Sequence, residues 1–320
     1  MTRTAAYGIS WIPLSLITTY LKSNWKLLDY TKKQLSYDEV NKANPELIIS
    51  FNPPMEIIKN KSVNWIISPG AGVDNLPLDE IRSRNITLIN SHANSSTVAE
   101  QAWALLLTAA KKIPKYDAIV RSQSNWPDRT SQIKDVNTDL EDKSVGILGY
   151  GPIARKIETY AKVFTMEPIV FRRNPMQNQF HFSKLLDEAE NLDFLILVCP
   201  LTSESKGIIS YQIIDALPAH CIIVNIARGE LVDEVALFDA LREGKIHSYA
   251  SDVWTNSPVM KNDKGTKPAE LCEVPNLILS PHRAWVSNES HLKVAKQIAI
   301  ELDKLALGSK SLNIVDLSLI

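Results

Sequence analysis

Two glycines and an alanine in the middle of the chain have the spacing of a dinucleotide-binding turn. Gly149, Gly151 and Ala154 follow an apolar run at residues 145–148 and precede a helical pattern at residues 153–163. In such a strand–turn–helix unit the first glycine permits a tight turn, the second lets the backbone approach a pyrophosphate, and the small third residue lets the helix pack closely. The helix N-terminus adds unpaired N–H groups and a positive dipole end. A tight turn in some other α/β protein is the alternative, but the flanking elements favour a nucleotide site.

Three charged or titratable residues follow apolar runs elsewhere in the chain. Arg228, Asp252 and His282 each come just after a predicted strand, and ligands of doubly wound sheets bind beyond the carboxyl ends of the strands. Arginine offers a planar fork for a carboxylate, and histidine is the usual proton donor or acceptor near neutral pH. Taken singly, a surface cation, a helix cap and a loop histidine would explain them. Taken together, they predict a small anionic substrate and a proton transfer.

The elements that must position these residues are short apolar runs that alternate with helix-like stretches. This alternation predicts parallel sheets covered by helices on both faces, and therefore an α/β fold. The predicted strands are residues 5–9, 47–51, 65–68, 86–90, 145–148, 168–171, 193–198, 221–225, 248–252 and 277–280. The predicted helices include residues 13–21, 210–216, 234–243 and an amphipathic one at 287–307, with Leu292, Val294, Ala295, Ile298 and Leu302 on related faces.

Two further stretches bear on the site. Residues 69–75 follow a predicted strand and contain two glycines, so their amides could hold an anion, although a plain turn is the simpler interpretation of this stretch alone. A helix start before Glu100 leads into residues 101–110, which are apolar nearly all round. A helix of that kind is expected to be buried, between domains or between subunits.

Length, composition and charge narrow the class of protein. A chain of 320 residues is long enough for two domains, and 45% hydrophobic with 22% charged residues is ordinary for a globular protein. A net charge of -1 predicts no binding to nucleic acid or to an anionic membrane surface, and no apolar run approaches a membrane span. Cys199, Cys221 and Cys272 are odd in number and widely spaced, which predicts neither disulfides nor a metal site. We therefore expect a reduced, cytoplasmic enzyme.

The order and spacing of six segments resemble the D-isomer-specific 2-hydroxyacid dehydrogenases, the family that includes glyoxylate/hydroxypyruvate reductases and phosphoglycerate dehydrogenases. The resemblance extends from about residue 65 to residue 308 and is far more specific than any single motif. The segments are Gly-Ala-Gly-Val-Asp (70–74), Ser-Thr-Val-Ala-Glu (96–100), Gly-Tyr-Gly-Pro-Ile-Ala (149–154), Pro-Leu-Thr (200–202), Asn-Ile-Ala-Arg-Gly-Glu-Leu-Val-Asp (225–233) and Ser-Pro-His (280–282).

The resemblance implies two doubly wound parallel-sheet domains. A Rossmann cofactor domain, residues 95–287, would be inserted into a flavodoxin-like substrate domain made of residues 1–94 and 288–320. The active-site residues would meet in the cleft between the two domains. The family also implies a homodimer whose contact uses the helix after Glu100, consistent with the apolar character of that helix.

The resemblance also implies a role for each site residue. Arg228 would bind the substrate carboxylate and polarise the ketone, while the amides of Ala71 and Gly72 grip the same carboxylate. His282 would donate a proton to the carbonyl oxygen as hydride arrives from the nicotinamide, and Asp252 would orient the carboxamide of that ring. The residues expected to contact the cofactor are Thr97, Gly149, Gly151, Pro152, Ile153, Arg172, Arg173, Pro200, Thr202, Ala227, Asp252 and His282.

The chain departs from the dinucleotide motif at the position that selects the ribose. An acid about 20 residues past the glycines would bind a free 2′-hydroxyl and repel a 2′-phosphate. Here the second strand ends in Phe171-Arg172-Arg173-Asn174, without an acid. Two guanidinium groups favour the phosphate, so we predict NADP(H) over NAD(H), although one arginine stacking on adenine would explain the same residues.

A second departure concerns the carboxylate that pairs with the catalytic histidine in the family. That glutamate is expected five residues beyond Asp252, where this chain has Ser257 before Pro258. A carboxylate partner would raise the pKa of the imidazole. Without it we expect a pKa for His282 near ~6.5, slower ketone reduction at pH 7 and an optimum displaced toward acid. Neighbouring Arg283 favours the neutral imidazole, and spacing gives no support to Glu270 or Glu273 as a substitute.

Two functions of different classes follow. The leading hypothesis is an NADP(H)-dependent reductase of small 2-oxo acids, with glyoxylate or hydroxypyruvate as the first candidates. The alternative, suggested by Ser257, is a cofactor-binding sensor or scaffold with little turnover. The presence of Arg228 and His282 argues against a pure binder, which has no chemical need for either residue. A third, weaker hypothesis is that Ser257 bonds directly to a different substrate.

Overall fold

The computed structural model describes residues 2–31, 35–123, 126–128, 130, 135–255, 270–311 and 313–319. The chain divides into two compact units, one of Met1–Asn94 with Trp285–Ile320 and the other of Ser95–Ala284. The second unit therefore interrupts the first in sequence. The boundary lies after residue 284, three residues before the predicted one at 287.

The elements follow one another as short strands and helices. The strands are β1 (Arg3–Gly8), β2 (Trp25–Asp29), β3 (Leu47–Ser50), β4 (Trp65–Ile67), β5 (Thr87–Ile89), β6 (Ser144–Leu148), β7 (Glu167–Arg172), β8 (Phe180–His181), β9 (Phe194–Leu197), β10 (Ile222–Asn225), β11 (Ser248–Ser251) and β12 (Leu277–Leu279). The helices are α1 (Leu14–Tyr20), α2 (Tyr37–Lys42), α3 (Met55–Ile58), α4 (Leu78–Ser83), α5 (Ser95–Ala110), α6 (Ile113–Ser122), α7 (Pro152–Val163), α8 (Leu185–Glu188), α9 (Tyr211–Ala216), α10 (Glu234–Arg242), α11 (Glu270–Glu273) and α12 (Asn288–Ala306).

The first unit is built on a five-stranded parallel sheet in the order β2-β1-β3-β4-β5, the flavodoxin-like order. Every residue of β3 is buried, as expected for a strand covered on both faces. Helix α12 packs on α1 and buries Val294, Ala295, Ile298 and Leu302. Leu292, predicted to share that face, is instead 42% exposed, because it lies off the buried stripe of the helix.

The second unit has seven parallel strands in the order β12-β11-β10-β9-β6-β7-β8. Strand order reverses at β6, which pairs with β7 on one side and β9 on the other. This point is where a doubly wound sheet opens a crevice for a ligand, beyond the carboxyl ends of its strands. The predicted α/β fold with two doubly wound parallel sheets is confirmed.

Helix α5 is buried by its own unit. It packs on α7, β10 and β11, and the Trp103 ring lies 5.2 Å from the Phe164 ring and 5.9 Å from the Tyr160 ring. Its apolar surface is thus largely accounted for without a partner subunit. Within the described parts of the chain, no helix is both long and apolar enough to cross a membrane.

Candidate functional site

The turn after β6 combines one glycine that the fold requires with another that faces open space. Gly149 has a φ of +107°, and a Cβ on it would lie 2.8 Å from the backbone N and Cα of Cys199. Gly151, at the N-cap of α7, has no heavy atom within 4 Å of the position that a Cβ would take. Ala154 is fully buried where the helix meets the sheet. An open cradle at a helix N-terminus fits a pyrophosphate.

A cavity of about 230 Å³ lies beside this turn, at the carboxyl ends of β6, β7 and β9. Its lining residues are Gly149, Tyr150, Arg172, Arg173, Asn174, Phe182, Pro200 and Thr202. Five of them were expected to contact a cofactor, whereas Tyr150, Asn174 and Phe182 were not. Tyr150 occupies the variable position between the two glycines, where the motif itself carries no information about the side chain.

The two arginines of the cavity have different partners. The Arg172 guanidinium lies 5.6 Å from the centre of the Tyr150 ring, a cation–π distance, and its Nη1 donates to Gln179 Oε1 at 3.4 Å. Arg173 Nε donates to Glu204 Oε2 at 2.9 Å. Glu204 was not among the predicted site residues, because it follows a different strand and no motif position marks it.

The loop that carries Arg228 is shaped by a buried amide. Asn225, at the end of β10, is fully buried, and its Oδ1 accepts from Ala227 N at 3.0 Å while its Nδ2 donates to the Arg228 carbonyl at 2.8 Å. Gly229 follows, and a Cβ there would lie 2.2 Å from Thr255 N. The turn at Arg228 therefore rests directly on the backbone that follows β11.

Asp252 anchors the loop that carries His282. Its carboxylate is 1% exposed and accepts from Arg283 N at 3.0 Å, from Ala284 N at 2.8 Å and from the Ser280 hydroxyl. These bonds hold the residues on both sides of His282, whose backbone has a left-handed φ of +54°. Asp252 thus has a structural role that the sequence did not predict, and the expected contact with a carboxamide stays a prediction.

A second carboxylate supports the same region. Glu234 Oε1 accepts from Thr255 N at 3.0 Å, and burial raises the pKa of this glutamate. Trp254 Nε1 donates to the Ser280 carbonyl at 3.0 Å, so the loop after β11 is tied to the loop after β12. Ser257 and the side chain of Glu270 lie outside the described residues, and Glu273 is exposed.

In the first unit, Ala71 and Gly72 follow β4 in a loop with oriented peptides. The Gly70 carbonyl accepts from Ser91 N at 3.2 Å and the Ala71 carbonyl accepts from Asn90 Nδ2 at 2.8 Å. Because C=O and N–H point in opposite directions across a trans peptide, the amides of Ala71 and Gly72 point away from Asn90 and Ser91. Two neighbouring amides so directed can bind an anion.

The remaining predicted cofactor residues lie at element ends of the second unit. Thr97 is in the first turn of α5, Pro152 and Ile153 are in the first turn of α7, and Ala227 is 8% exposed after β10. The predicted roles toward a cofactor stay predictions.

Comparison with known proteins places these features in a family. Residues 103–284 match the family model described as D-isomer specific 2-hydroxyacid dehydrogenase, NAD binding domain. The 2-ketogluconate reductase of Gluconobacter oxydans is 34% identical over 81% of this chain and 78% of that enzyme. Glyoxylate/hydroxypyruvate reductase A of Arabidopsis thaliana is 32% identical over 73% of this chain and 70% of that enzyme.

The chain spans about half the length of the phosphoglycerate dehydrogenases it matches. The Bacillus subtilis enzyme is 29% identical over 88% of this chain, but the match covers only 53% of that enzyme. Among solved structures, the NADPH-dependent glyoxylate/hydroxypyruvate reductase of Sinorhizobium meliloti, in complex with NADP and malonate, superposes with a TM-score of 0.81. The two sequences are 21% identical, and the superposition covers 100% of this chain and 98% of the Sinorhizobium meliloti chain. This similarity shows that the two proteins share a fold.

Proposed function

Since the chain belongs to the D-isomer specific 2-hydroxyacid dehydrogenase family, we propose that it transfers hydride between NAD(P)H and a small 2-oxo acid. The predicted family, a family of oxidoreductases that bind NAD(P), is confirmed. The main support for this proposal is the position of the candidate residues in the second unit. The parallel neighbours β6, β9, β10, β11 and β12 deliver the glycine turn, Arg228, Asp252 and His282 to one edge of one sheet.

The proposed roles follow from the chemistry of each residue. Arg228 binds the substrate carboxylate with its planar fork and polarises the ketone. The amides of Ala71 and Gly72, in the first unit, offer hydrogen-bond donors suited to a carboxylate. His282 donates a proton to the substrate carbonyl oxygen. Asp252 keeps the loop around His282 in place through its buried hydrogen bonds. The nicotinamide cofactor would supply the hydride.

We further propose that NADP(H) is preferred over NAD(H). Arg172 and Arg173 both line the cavity beside the glycine turn, where they offer positive charge to a 2′-phosphate. The proposed cofactor contacts also include Thr97, Pro152, Ile153, Pro200, Thr202 and Ala227. Isothermal titration calorimetry with NADPH and NADH tests this preference. Tighter binding of NADH would contradict it.

The experiment for the activity measures NADPH oxidation with glyoxylate, hydroxypyruvate and pyruvate at pH 5.5 and 7.5. His282→Gln should lower kcat by about 100-fold or more, the usual contribution of a general acid, while NADPH still binds. His220→Gln is the matched control, because His220 lies at the opposite end of the sheet, just before β10, with its side chain 56% exposed. Turnover that survives His282→Gln would overturn the assigned role.

The alternative, a cofactor-binding sensor or scaffold, is separated by a substitution at Ser257. Ser257→Glu restores the carboxylate that the family has there, and should raise turnover several-fold and extend activity to higher pH, because a carboxylate stabilises the imidazolium. Ser257→Gln introduces a side chain of the same size as glutamate but without its charge, so it should give no such gain in turnover. Bound NADPH with no turnover in any of these proteins would favour the sensor. The homodimer and the cytoplasmic location remain predictions, the former to be checked by sedimentation.

A further inference from the structure

We propose that Glu204 is a determinant of cofactor selectivity that weakens the binding of NADP(H) without affecting NAD(H). This inference rests on the proposed function, because it concerns the nucleotide pocket of that reaction. The end of β7 has no acid, and the sequence alone therefore predicts an uncompensated pair of arginines. In the structure, an acid reaches the same place from the segment after β9.

The carboxylate of Glu204 lies against one of the two cavity arginines. Arg173 Nε donates to Glu204 Oε2 at 2.9 Å, and Arg173 Nη2 reaches Thr202 Oγ1 at 3.4 Å. Arg173 and Thr202 both line the cavity. The side chains of Arg173 and Glu204 are 31% and 41% exposed, so the ion pair is partly screened by water and can be rearranged by a ligand.

The backbone that carries Glu204 is held by a buried serine. Ser205 is 1% exposed, and its hydroxyl donates to the Pro200 carbonyl at 2.7 Å and accepts from Thr202 N at 2.8 Å. Lys206 N also donates to the Thr202 carbonyl at 3.0 Å. The turn therefore presents Glu204 to the pocket in a defined direction, and its carboxylate is not carried on a loose loop.

The other carboxylate oxygen of Glu204 faces His181, whose Nε2 lies 3.8 Å from Oε1. Arg172 has different neighbours, the Tyr150 ring and Gln179, and does not share this carboxylate. The negative charge of Glu204 is thus directed at Arg173 and not at both arginines. One arginine keeps its full effect on a bound phosphate, while the other is partly neutralised.

A 2′-phosphate and Glu204 compete for the same guanidinium. A phosphate that binds Arg173 must either displace the Glu204 carboxylate or share the guanidinium with it. If the guanidinium is shared, the two anions lie close together and repel each other. A free 2′-hydroxyl carries no charge and meets no such penalty. Glu204 therefore lowers the affinity for NADP(H) selectively, and the preference for NADP(H) is smaller than two free arginines would produce.

The test is calorimetric titration of wild-type protein and Glu204→Gln with NADPH and NADH. We expect the Kd for NADPH to fall about three- to tenfold, the range for a partly exposed charge next to an anion, and the Kd for NADH to stay within about twofold. Glu167→Gln is the matched control, because it makes the same change in charge at the exposed, opposite end of β7. It should leave both constants unchanged.

A double-mutant comparison adds a readout that a merely structural role would not give. In an Arg173→Gln background the gain from Glu204→Gln should shrink, because no guanidinium is left to compete for. The inference is overturned if Glu204→Gln weakens NADPH, or if it changes the binding of both nucleotides equally. Wild-type protein that binds neither nucleotide would refute this inference and the proposed function together. Selective nucleotide binding without turnover of 2-oxo acids would refute only the proposed reaction.

Discussion

Replacing Gly149 with alanine should destabilise the second unit strongly. The residue has a φ of +107°, and the added Cβ would lie 2.8 Å from backbone atoms of Cys199 and 2.9 Å from the Val198 carbonyl carbon. Neither side can move away, because Gly149 N donates to the Phe171 carbonyl at 2.7 Å and Val198 N to the Leu148 carbonyl at 2.9 Å. Backbone strain of about 1–3 kcal/mol and overpacking of about 1–3 kcal/mol give a total cost of about 2–6 kcal/mol.

The matched control is the same substitution two residues later. Gly151 has a φ of -91° and no neighbour within 4 Å of the added methyl group. Gly151→Ala should therefore cost less than about 1 kcal/mol, the size of an N-cap effect. The methyl group would, however, fill the space that the pyrophosphate needs, so the affinity for NADPH should fall at least about tenfold.

Thermal unfolding and calorimetric titration measure the two effects separately. At roughly 2–4 °C per kcal/mol for a unit of this size, Gly149→Ala should lower Tm by about 4–24 °C, whereas Gly151→Ala should shift it by only a few degrees. A Gly149→Ala protein with the Tm of the wild type would contradict the predicted backbone clash. A Gly151→Ala protein that binds NADPH with the wild-type affinity would contradict the predicted pyrophosphate site.

Two further substitutions test carboxylates of the second unit. Asp252→Asn should lower the free energy of unfolding by about 2–4 kcal/mol, because it replaces a buried acceptor of three hydrogen bonds. The control is Asp239→Asn, which removes an exposed ion pair with Arg242 and should cost less than about 0.5 kcal/mol in the same thermal unfolding experiment. The Lys112 and Lys115 ammonium groups hold the pKa of Asp135 well below its usual range. Ionised Asp135 therefore stabilises the folded state above the unfolded pKa of about 3.9, and this stabilisation is lost as pH falls toward the folded pKa. Asp135→Asn should thus lower the free energy of unfolding by about 0.5–1 kcal/mol at pH 7, as measured by urea titration. This difference from wild type should shrink below about pH 4, and a difference independent of pH would contradict the ion pairing.

Local features of the chain were predictable because their physical causes are local. The glycine turn needs only a strand, two glycines and a helix within about 20 residues, and all of them are adjacent in sequence. Buried parallel strands were identified as well, because β9 is apolar along its whole length and β3 is apolar in three of its four residues. Strand β2 was missed, because Lys26 and Asp29 interrupt its apolar pattern at the edge of the sheet.

The sequence by itself therefore determined the α/β class, the nucleotide turn and the position of Arg228 and His282 after their strands. Only the tertiary structure decided which residues distant in sequence come into contact at the site. Arg173 and Glu204 are 31 residues apart and meet because β7 and β9 flank β6. Asp252 reaches the loop around His282 because β11 and β12 are neighbours. Strand order depends on how all the helices and strands pack together, and no local pattern encodes it.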